Sequence, residues 1–254
     1  MGALHAGHLQ LVEQAARTAD RVVVSVFVNP TQFGPNEDFE RYPRMLGEDT
    51  GALEGQGLAS VVFAPTVEAM YPLGSNRTWV EVEGMDRTLC GATREGHFRG
   101  VTTIVARLFT TVLPDVAVFG LKDAQQFFIL SRMTKEMGFP VEMVGVPTVR
   151  EHDGLAMSSR NRYLTEEERA DAPRLFRAVS TAQKAILAGE RSVDVLEAIL
   201  RDELEPARTD YASVVETEGL TRTHTLESGT TALVAVAVHY GKARLIDNAI
   251  VDVP

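Results

Sequence analysis

The feature that most constrains the fold is a nearly continuous run of β-branched and aromatic residues at 21–28, RVVVSVFV. A strand of this kind is buried on both faces, as in a parallel sheet covered by helices. Similar apolar runs follow at 60–65, 116–120 and 141–147. Between the runs lie helical patterns, at 9–16, 47–56, 101–113 and 127–137. The alternation predicts an α/β fold with a doubly wound parallel sheet.

The pattern changes after residue 163, where the chain no longer alternates strand and helix. A further strand is predicted before that point, at 78–82. Beyond it we predict one long helix, a second helix and two strands, at 165–188, 192–204, 211–215 and 231–238. We therefore expect two domains, one at 1–157 and a smaller α+β domain at 158–254.

The composition excludes several classes of protein. The 254 residues include 35 acidic and 25 basic side chains, a net charge of −10 that disfavours general binding of nucleic acid. We find no run as apolar as a membrane span and no secretory leader, so we expect no membrane partner. Cys90 is the single cysteine, which excludes an internal disulfide. These observations predict a cytoplasmic protein.

Two histidines near the start bracket a glycine, in the order His5, Ala6, Gly7, His8. The apolar pattern that follows predicts a helix, which places both rings near its first turn. A helix start offers unpaired N–H groups and the positive end of the dipole, which suit a phosphate. Gly7 would let a ligand approach closely. These residues alone fit equally well a pair of exposed histidines or half of a metal site.

Three further polar stretches follow predicted strands, at the sheet edge where α/β proteins bind ligands. Asn29 and Gln32 lie in the first, on a proline-bearing loop whose amides can bind hydroxyl and carboxylate groups. Lys122 and Asp123 lie in the second. Lys122 can neutralise a phosphate, and Asp123 can hold a magnesium shell. The third, at 156–162, offers two serines and an arginine that suit a triphosphate. Each stretch also has a structural explanation. The first could be an ordinary turn, the second a surface ion pair and the third a domain linker.

Together these motifs resemble the pantothenate synthetase (pantoate–β-alanine ligase) family. The resemblance rests on MGALHAGH at 1–8, FVNPTQF at 27–33, GHFRGV at 96–101, LKDAQQ at 121–126, VPTVREHDGLAMSSRNRYL at 146–164 and RLIDN at 244–248. It implies a Rossmann-like first domain and a C-terminal domain that closes over the site. The implied reaction joins (R)-pantoate to β-alanine through pantoyl adenylate, with ATP as substrate and Mg²⁺ required. It also implies a homodimer.

The resemblance also assigns site residues. The catalytic set would be His8, in the position of a proton donor, with His5, Lys122, Ser158, Ser159 and Arg160. ATP would contact Met1, Gly2, Ala3, Leu4, His5, Ala6, Gly7, His8, Gly120, Leu121, Lys122, Asp123, Val149, Met157, Ser158, Ser159 and Arg160. Pantoate would contact Gln32 and Gln126, with Asn29 and His97 completing the pocket wall. Gln32 would also bind β-alanine, and the resemblance leaves the metal ligands unassigned.

The chain departs from the family pattern in two ways. Ala6, Leu121 and Ala124 replace residues that the family usually has as Glu, Glu and Tyr. We expect activity to survive these changes with an altered affinity for ATP, because the side chains nearest the chemistry are retained. The family also carries an apolar first strand before the point that corresponds to Met1. The predicted sheet therefore lacks its first strand, which in a doubly wound sheet is central.

Two other functions remain compatible with the motifs. Another nucleotidyltransferase would share the paired histidines but would not need Gln32 and Gln126. A truncated, inactive paralogue would bind nucleotide without turnover. Release of AMP that depends on both pantoate and β-alanine separates these alternatives.

Overall fold

The structure, a computed structural model, describes residues 1–35, 37, 39–74 and 76–254. It divides into two compact units. Unit 1 comprises residues 1–86 and 90–147, and unit 2 comprises residues 87–89 and 148–254. No helix among the described residues is both long enough and apolar enough to cross a membrane.

Unit 1 alternates helices and short parallel strands, which confirms the α/β class. Its helices are α1 (Ala6–Thr18), α2 (Leu46–Gln56), α3 (Val67–Met70), α4 (Leu89–Thr93, beginning in unit 2), α5 (His97–Val112) and α6 (Ala124–Glu136). Its strands are β1 (Val23–Ser25), β2 (Val61–Phe63), β3 (Val116–Gly120) and β4 (Glu142–Val146). Three-residue 3₁₀ turns at Pro30–Gln32 and Leu121–Asp123 follow the strand regions that carry the polar motifs.

The strands of unit 1 form two separate parallel pairs rather than one continuous sheet. Val23 of β1 pairs with Val61 of β2, and Val116 of β3 pairs with Glu142 of β4. Among the described residues no strand hydrogen bonds join the two pairs. Helix α1 packs on β3 and β4. Two parts of the sheet prediction are therefore observed, namely the parallel pairing of strands and the packing of helices on them. A single continuous sheet is not observed among the described residues.

The predicted strand at 78–82 is wrong. Its backbone is tied to side chains of α5 instead: the Val80 N–H donates to Thr103 Oγ1 at 3.0 Å, and Thr102 Oγ1 donates to the Val80 carbonyl at 2.5 Å. Both threonines are buried. Hydroxyls from a neighbouring helix thus satisfy backbone groups that a partner strand would otherwise bind.

Unit 2 packs two long helices on an antiparallel sheet. Its elements are α7 (Glu166–Asp171), α8 (Arg174–Leu187), α9 (Val193–Leu204), β5 (Arg208–Glu216), β6 (Thr231–Tyr240) and β7 (Ala243–Asp252). The strand order is β5-β6-β7, and β6 is buried along most of its length. The core includes Leu175, Ile186, Leu196, Leu200 and Val236.

Two details of unit 2 differ from the sequence prediction. The single helix expected at 165–188 is broken at Ala172 and Pro173, because proline lacks the N–H that would continue the hydrogen-bond ladder. Strand β7 was not predicted, since its polar side chains hide the alternation of buried and exposed positions. For example, Arg244 of β7 forms an ion pair of 2.7 Å with Asp210 of β5. The sequence of β7 alone does not reveal this partner.

The boundary between the units lies at 147/148, before the expected position at 157/158. Residues 148–157 form a hairpin closed by a bridge between Arg150 and Ala156. Arg150 donates to both oxygens of Asp247, at 2.7 and 2.9 Å, and that carboxylate is buried. Arg169 pairs with Glu151 and Asp153 at 2.6 Å each. These ion pairs hold the hairpin in unit 2.

Candidate active site

The two histidines cap the start of α1. Helix α1 begins at Ala6, so His5 is its N-cap residue and His8 its third helical residue. His5 Nδ1 accepts from the Gly7 N–H at 3.2 Å, and His8 Nδ1 accepts from the His5 N–H at 3.4 Å. The two ring centroids are 4.1 Å apart. Each Nδ1 is an acceptor, so in the neutral tautomer each Nε2 carries the hydrogen.

His8 is held in its neutral form. Burial, and next the adjacent His5, lowers the pKa of His8 from 6.5 to about 3, with a smaller contribution from the Lys122 cation and an opposing one from Asp123. The charges of Lys122 and Asp123 therefore act on the His8 ring. Because α1 packs on β3 and the turn at Leu121–Asp123 follows β3, the two motifs lie near each other in unit 1.

A buried carboxylate fixes the loop before α1. Asp49 on α2 accepts from the Ala3 N–H at 3.0 Å and from the Leu4 N–H at 2.6 Å, and it is buried. Ala3 has φ of +50°, a backbone conformation that alanine seldom adopts without such support. Asp49 thus sets the backbone that leads into His5. Asp49 was not predicted as a site residue, because acidic residues are common in the first turn of a helix.

The second motif forms a tight turn between β3 and α6. Lys122 Nζ lies 3.9 Å from Asp123 Oδ2, and the Asp123 side chain is 52% exposed. A Cβ on Gly145 of β4 would lie 2.6 Å from Leu121 Cδ2, so the Leu121 side chain packs closely over the backbone of β4. Helix α6 begins at Ala124, earlier than predicted. Its Gln125 is buried and bonds Cys90 N and Met85 O, so it is structural, whereas Gln126 is only partly buried.

Asn29 is a buried centre of hydrogen bonds. Its Oδ1 accepts from Tyr71 Oη at 2.7 Å, from Thr31 Oγ1 at 3.0 Å and from the Thr31 N–H at 3.4 Å. Its Nδ2 donates to the Gly100 carbonyl at 3.2 Å and to Gln32 Oε1 at 3.3 Å. Both donor hydrogens are used within the protein, and Asn29 is only 2% exposed.

His97 holds the backbone of the same loop. Arg94 Nη1 lies 2.9 Å from His97 Nε2, and because arginine can only donate, His97 Nε2 accepts. His97 Nδ1 then carries the hydrogen and donates to the Gln32 carbonyl at 2.8 Å. Arg94 pairs in turn with Glu37 through two bonds of 2.7 Å. Burial, and next the charge of Arg94, lowers the pKa of His97 from 6.5 to about 4.

The third motif lies in unit 2, at the open end of the 148–157 hairpin. The Met157 N–H donates to the Val149 carbonyl at 2.9 Å, which places these two predicted ATP contacts side by side. Ser158 caps a 3₁₀ helix at Ser159–Tyr163, its Oγ accepting from the Arg160 N–H at 3.2 Å. A Cβ on Gly154 would lie 2.2 Å from Phe176, so the hairpin tip requires glycine.

The sequence model of the pantoate-beta-alanine ligase family matches residues 1–250. The chain belongs to this family. It is 51% identical to the pantothenate synthetase of Salinibacter ruber, over all of this chain and 89% of that protein. It is also 51% identical to the pantothenate synthetase of Alcanivorax borkumensis, over 98% of this chain and 87% of that protein.

Solved structures agree with the family assignment. The pantothenate synthetase of Thermus thermophilus superposes with a TM-score of 0.91 at 48% identity, over 98% of this chain and 90% of that chain. A pantoate-beta-alanine ligase from Francisella tularensis, complexed with beta-gamma ATP and beta-alanine, gives a TM-score of 0.78 at 30% identity, over 98% and 87%. The recognised family and its α/β fold are thereby confirmed.

The buried histidines predict how the stability of this ligase depends on pH. His97 keeps a pKa of about 4 when folded and returns to about 6.5 when unfolded, so between these values only the unfolded chain binds the proton. The free energy of unfolding therefore falls as pH falls through this window, by about 1.4 kcal/mol per pH unit for each such histidine. Urea titrations followed by the fluorescence of Trp79, the single tryptophan, measure this slope.

The control is His97→Gln, which has no imidazole to titrate. We expect its slope to be about 1.4 kcal/mol per pH unit shallower than that of the unchanged protein. Carboxylates contribute equally to both proteins and cancel in the comparison. Equal slopes for the two proteins would show that His97 is not held neutral by the fold.

Proposed function

We propose that this chain condenses (R)-pantoate with β-alanine to give pantothenate, through a pantoyl adenylate, with release of AMP and pyrophosphate. The observation that carries the proposal is that one residue, Asp123, acts electrostatically both on the capped His8 and on His97, whose ring holds the Gln32 loop. The family membership and the Francisella tularensis structure support it, since that relative is complexed with beta-gamma ATP and beta-alanine.

In the first step a carboxylate oxygen of pantoate attacks the α-phosphorus of ATP, and the bond to pyrophosphate breaks. This displacement needs positioning and charge stabilisation more than a protein nucleophile. His5 and His8 can each donate from Nε2 to phosphate oxygens without adding charge, because their Nδ1 atoms are occupied in the helix cap. Lys122 supplies the positive charge that the growing negative charge on the leaving group requires.

In the second step the amine of β-alanine attacks the acyl carbon of the adenylate. The carbon–oxygen bond to AMP breaks, and the amine loses a proton as the amide forms. Gln32 and Gln126 would hold the pantoyl group through hydrogen bonds, and Gln32 would also bind β-alanine. The predicted ATP contacts of unit 2, at Val149, Met157, Ser158, Ser159 and Arg160, belong to this proposal as well.

The proposed Mg²⁺ fits the donor set if substrate phosphates complete its coordination. Among the described residues no group of three or more His, Cys, Asp or Glu side chains could hold a metal alone. Magnesium is commonly bound by one or two carboxylates together with phosphates and water. Asp123 is the exposed carboxylate beside Lys122 and is the residue that would hold it. Bound Mg²⁺ would neutralise phosphate charge.

Other predictions from the family remain part of the proposal. They are a single doubly wound Rossmann-like sheet, closure of the second domain over the site, a homodimer, and a cytoplasmic location. The two parallel pairs of unit 1 support the first of these.

Release of AMP from ATP tests the function directly. We expect AMP to form only when pantoate, β-alanine and Mg²⁺ are all present. We also expect labelled pyrophosphate to exchange into ATP when pantoate and Mg²⁺ are present without β-alanine. AMP transfer to a different acceptor would favour another nucleotidyltransferase. Stabilisation by ATP without any turnover would favour an inactive paralogue.

A further inference from the structure

Tyr71 lies immediately after α3, where its position is fixed from two sides. It is 6% exposed, and the guanidinium of Arg107 lies over its ring, 4.7 Å from the ring centroid. Arg107 is itself held by bonds to the Met70 carbonyl and to Asn76 Oδ1. The hydroxyl of Tyr71 is therefore presented to Asn29 by a rigid ring.

The direction of the Tyr71 hydrogen bond can be assigned. The amide of Asn29 could be placed in either of two orientations, but the Thr31 N–H faces one of its polar atoms and the Gly100 carbonyl faces the other. The first atom must therefore be the oxygen and the second the nitrogen. At 2.7 Å from an oxygen without hydrogen, Tyr71 must donate. Burial raises the pKa of Tyr71, which keeps the donor protonated.

The same logic fixes the amide of Gln32. The atom that faces Asn29 Nδ2 must accept, so it is Oε1, at 3.3 Å. Its Nε2 is then the polar group left for a ligand, and within the described part of the chain no protein acceptor is recorded for it. The backbone of Gln32 is held separately by His97. The loop is thus anchored while the side chain presents an NH₂ group.

We propose that Tyr71 is a positioning residue that, through Asn29, orients the amide of Gln32 with its NH₂ group toward the substrate. This inference rests on the proposed function and deepens it. The carboxylate of a hydroxy acid such as pantoate only accepts hydrogen bonds, so a Gln32 amide turned the other way would oppose it oxygen to oxygen. Asn29 is then also a positioning residue, because its amide has no donor left for substrate.

The test is the variant Tyr71→Phe, which keeps the ring against Arg107 and removes only the hydroxyl. We expect the KM for pantoate to rise about tenfold, the value of one charge-assisted hydrogen bond, and the KM for ATP to stay within about twofold. Tyr240→Phe is the matched control: its hydroxyl donates to Asp171 in unit 2, and its removal should leave the KM for pantoate unchanged. An unchanged KM for pantoate in Tyr71→Phe overturns the proposal.

A second arm separates positioning from a structural role. In a Gln32→Ala background, Tyr71→Phe should have no further effect on pantoate affinity, measured by calorimetry. A merely structural role would weaken both backgrounds equally and would refute the proposal. The side-chain NH₂ signals of Asn29 and Gln32 in ¹⁵N NMR spectra should shift in Tyr71→Phe without any substrate. Absence of turnover in the unchanged protein would instead count against the proposed function, and the NMR result distinguishes the two failures.

Discussion

His8→Asn should lower the rate of pantoyl adenylate formation about 10²- to 10³-fold, while the chain stays folded. The asparagine Oδ1 occupies the position of His8 Nδ1, so it can still accept from the His5 N–H and preserve the cap of α1. It has no donor at the position of Nε2. Loss of one donor that stabilises developing charge costs about this factor. The rate of pyrophosphate release in a single turnover with pantoate and without β-alanine measures it.

The paired variant His8→Gln has the opposite effect, because it keeps the donor and loses the capping acceptor. Its longer side chain can place an amide donor where Nε2 stood, but it lacks the acceptor that caps the helix. We expect it to retain more activity than His8→Asn and to be less stable, by about 1 kcal/mol. His224→Asn, at an exposed position in unit 2, controls for the loss of any imidazole. Equal rates for the asparagine and glutamine variants would show that the Nε2 donor of His8 is not what the reaction uses.

Local sequence patterns predict an element best when it is apolar along its whole length. The run at 116–120 is apolar throughout, and β3 spans the same residues, Val116–Gly120. The strand predicted at 21–28 is longer than the observed β1 at Val23–Ser25. A strand extends only as far as its partner pairs with it, and β2 pairs with three residues. Which strands and helices pack against an element is decided by the tertiary structure. A local hydrophobic pattern does not predict these partners.

The same distinction separates the site residues that were predicted from those that were missed. His5, His8 and Lys122 stand in short motifs, and the combination of these motifs along the sequence pointed to phosphate binding. Tyr71 and Asp49 act on residues 42 and 46 positions away, and Glu37 acts on Arg94 at a separation of 57. A tyrosine after a short helix and an acidic residue in a first turn are unremarkable by themselves. Their roles arise only once the fold brings their partners to them.

The second large effect should come from Gly100→Ala, a change that adds one methyl group outside any direct contact with substrate. A Cβ at this position of α5 would lie 2.3 Å from the Thr31 carbonyl oxygen and 2.6 Å from its carbon. Both are backbone atoms of the loop that carries Gln32, so no side-chain rotation can relieve the overlap. The loop must move by about 1 Å, and a displacement of this size at a reacting group costs on the order of 10²-fold in rate. We expect kcat/KM for pantoate to fall at least that far.

The fall in rate should exceed what the loss of stability explains. Overpacking costs about 1–3 kcal/mol, which leaves most domains folded, so the variant should unfold in one transition at lower urea concentration while its residual activity stays low. Gly51→Ala is the matched control, because Gly51 also lies in a helix, α2, but a Cβ there meets nothing within 4 Å. Alanine favours helix more than glycine, so this control should be slightly more stable and fully active. If Gly100→Ala kept full activity, the loop would tolerate displacement, and the orientation of Gln32 by Asn29 and Tyr71 could not matter to catalysis.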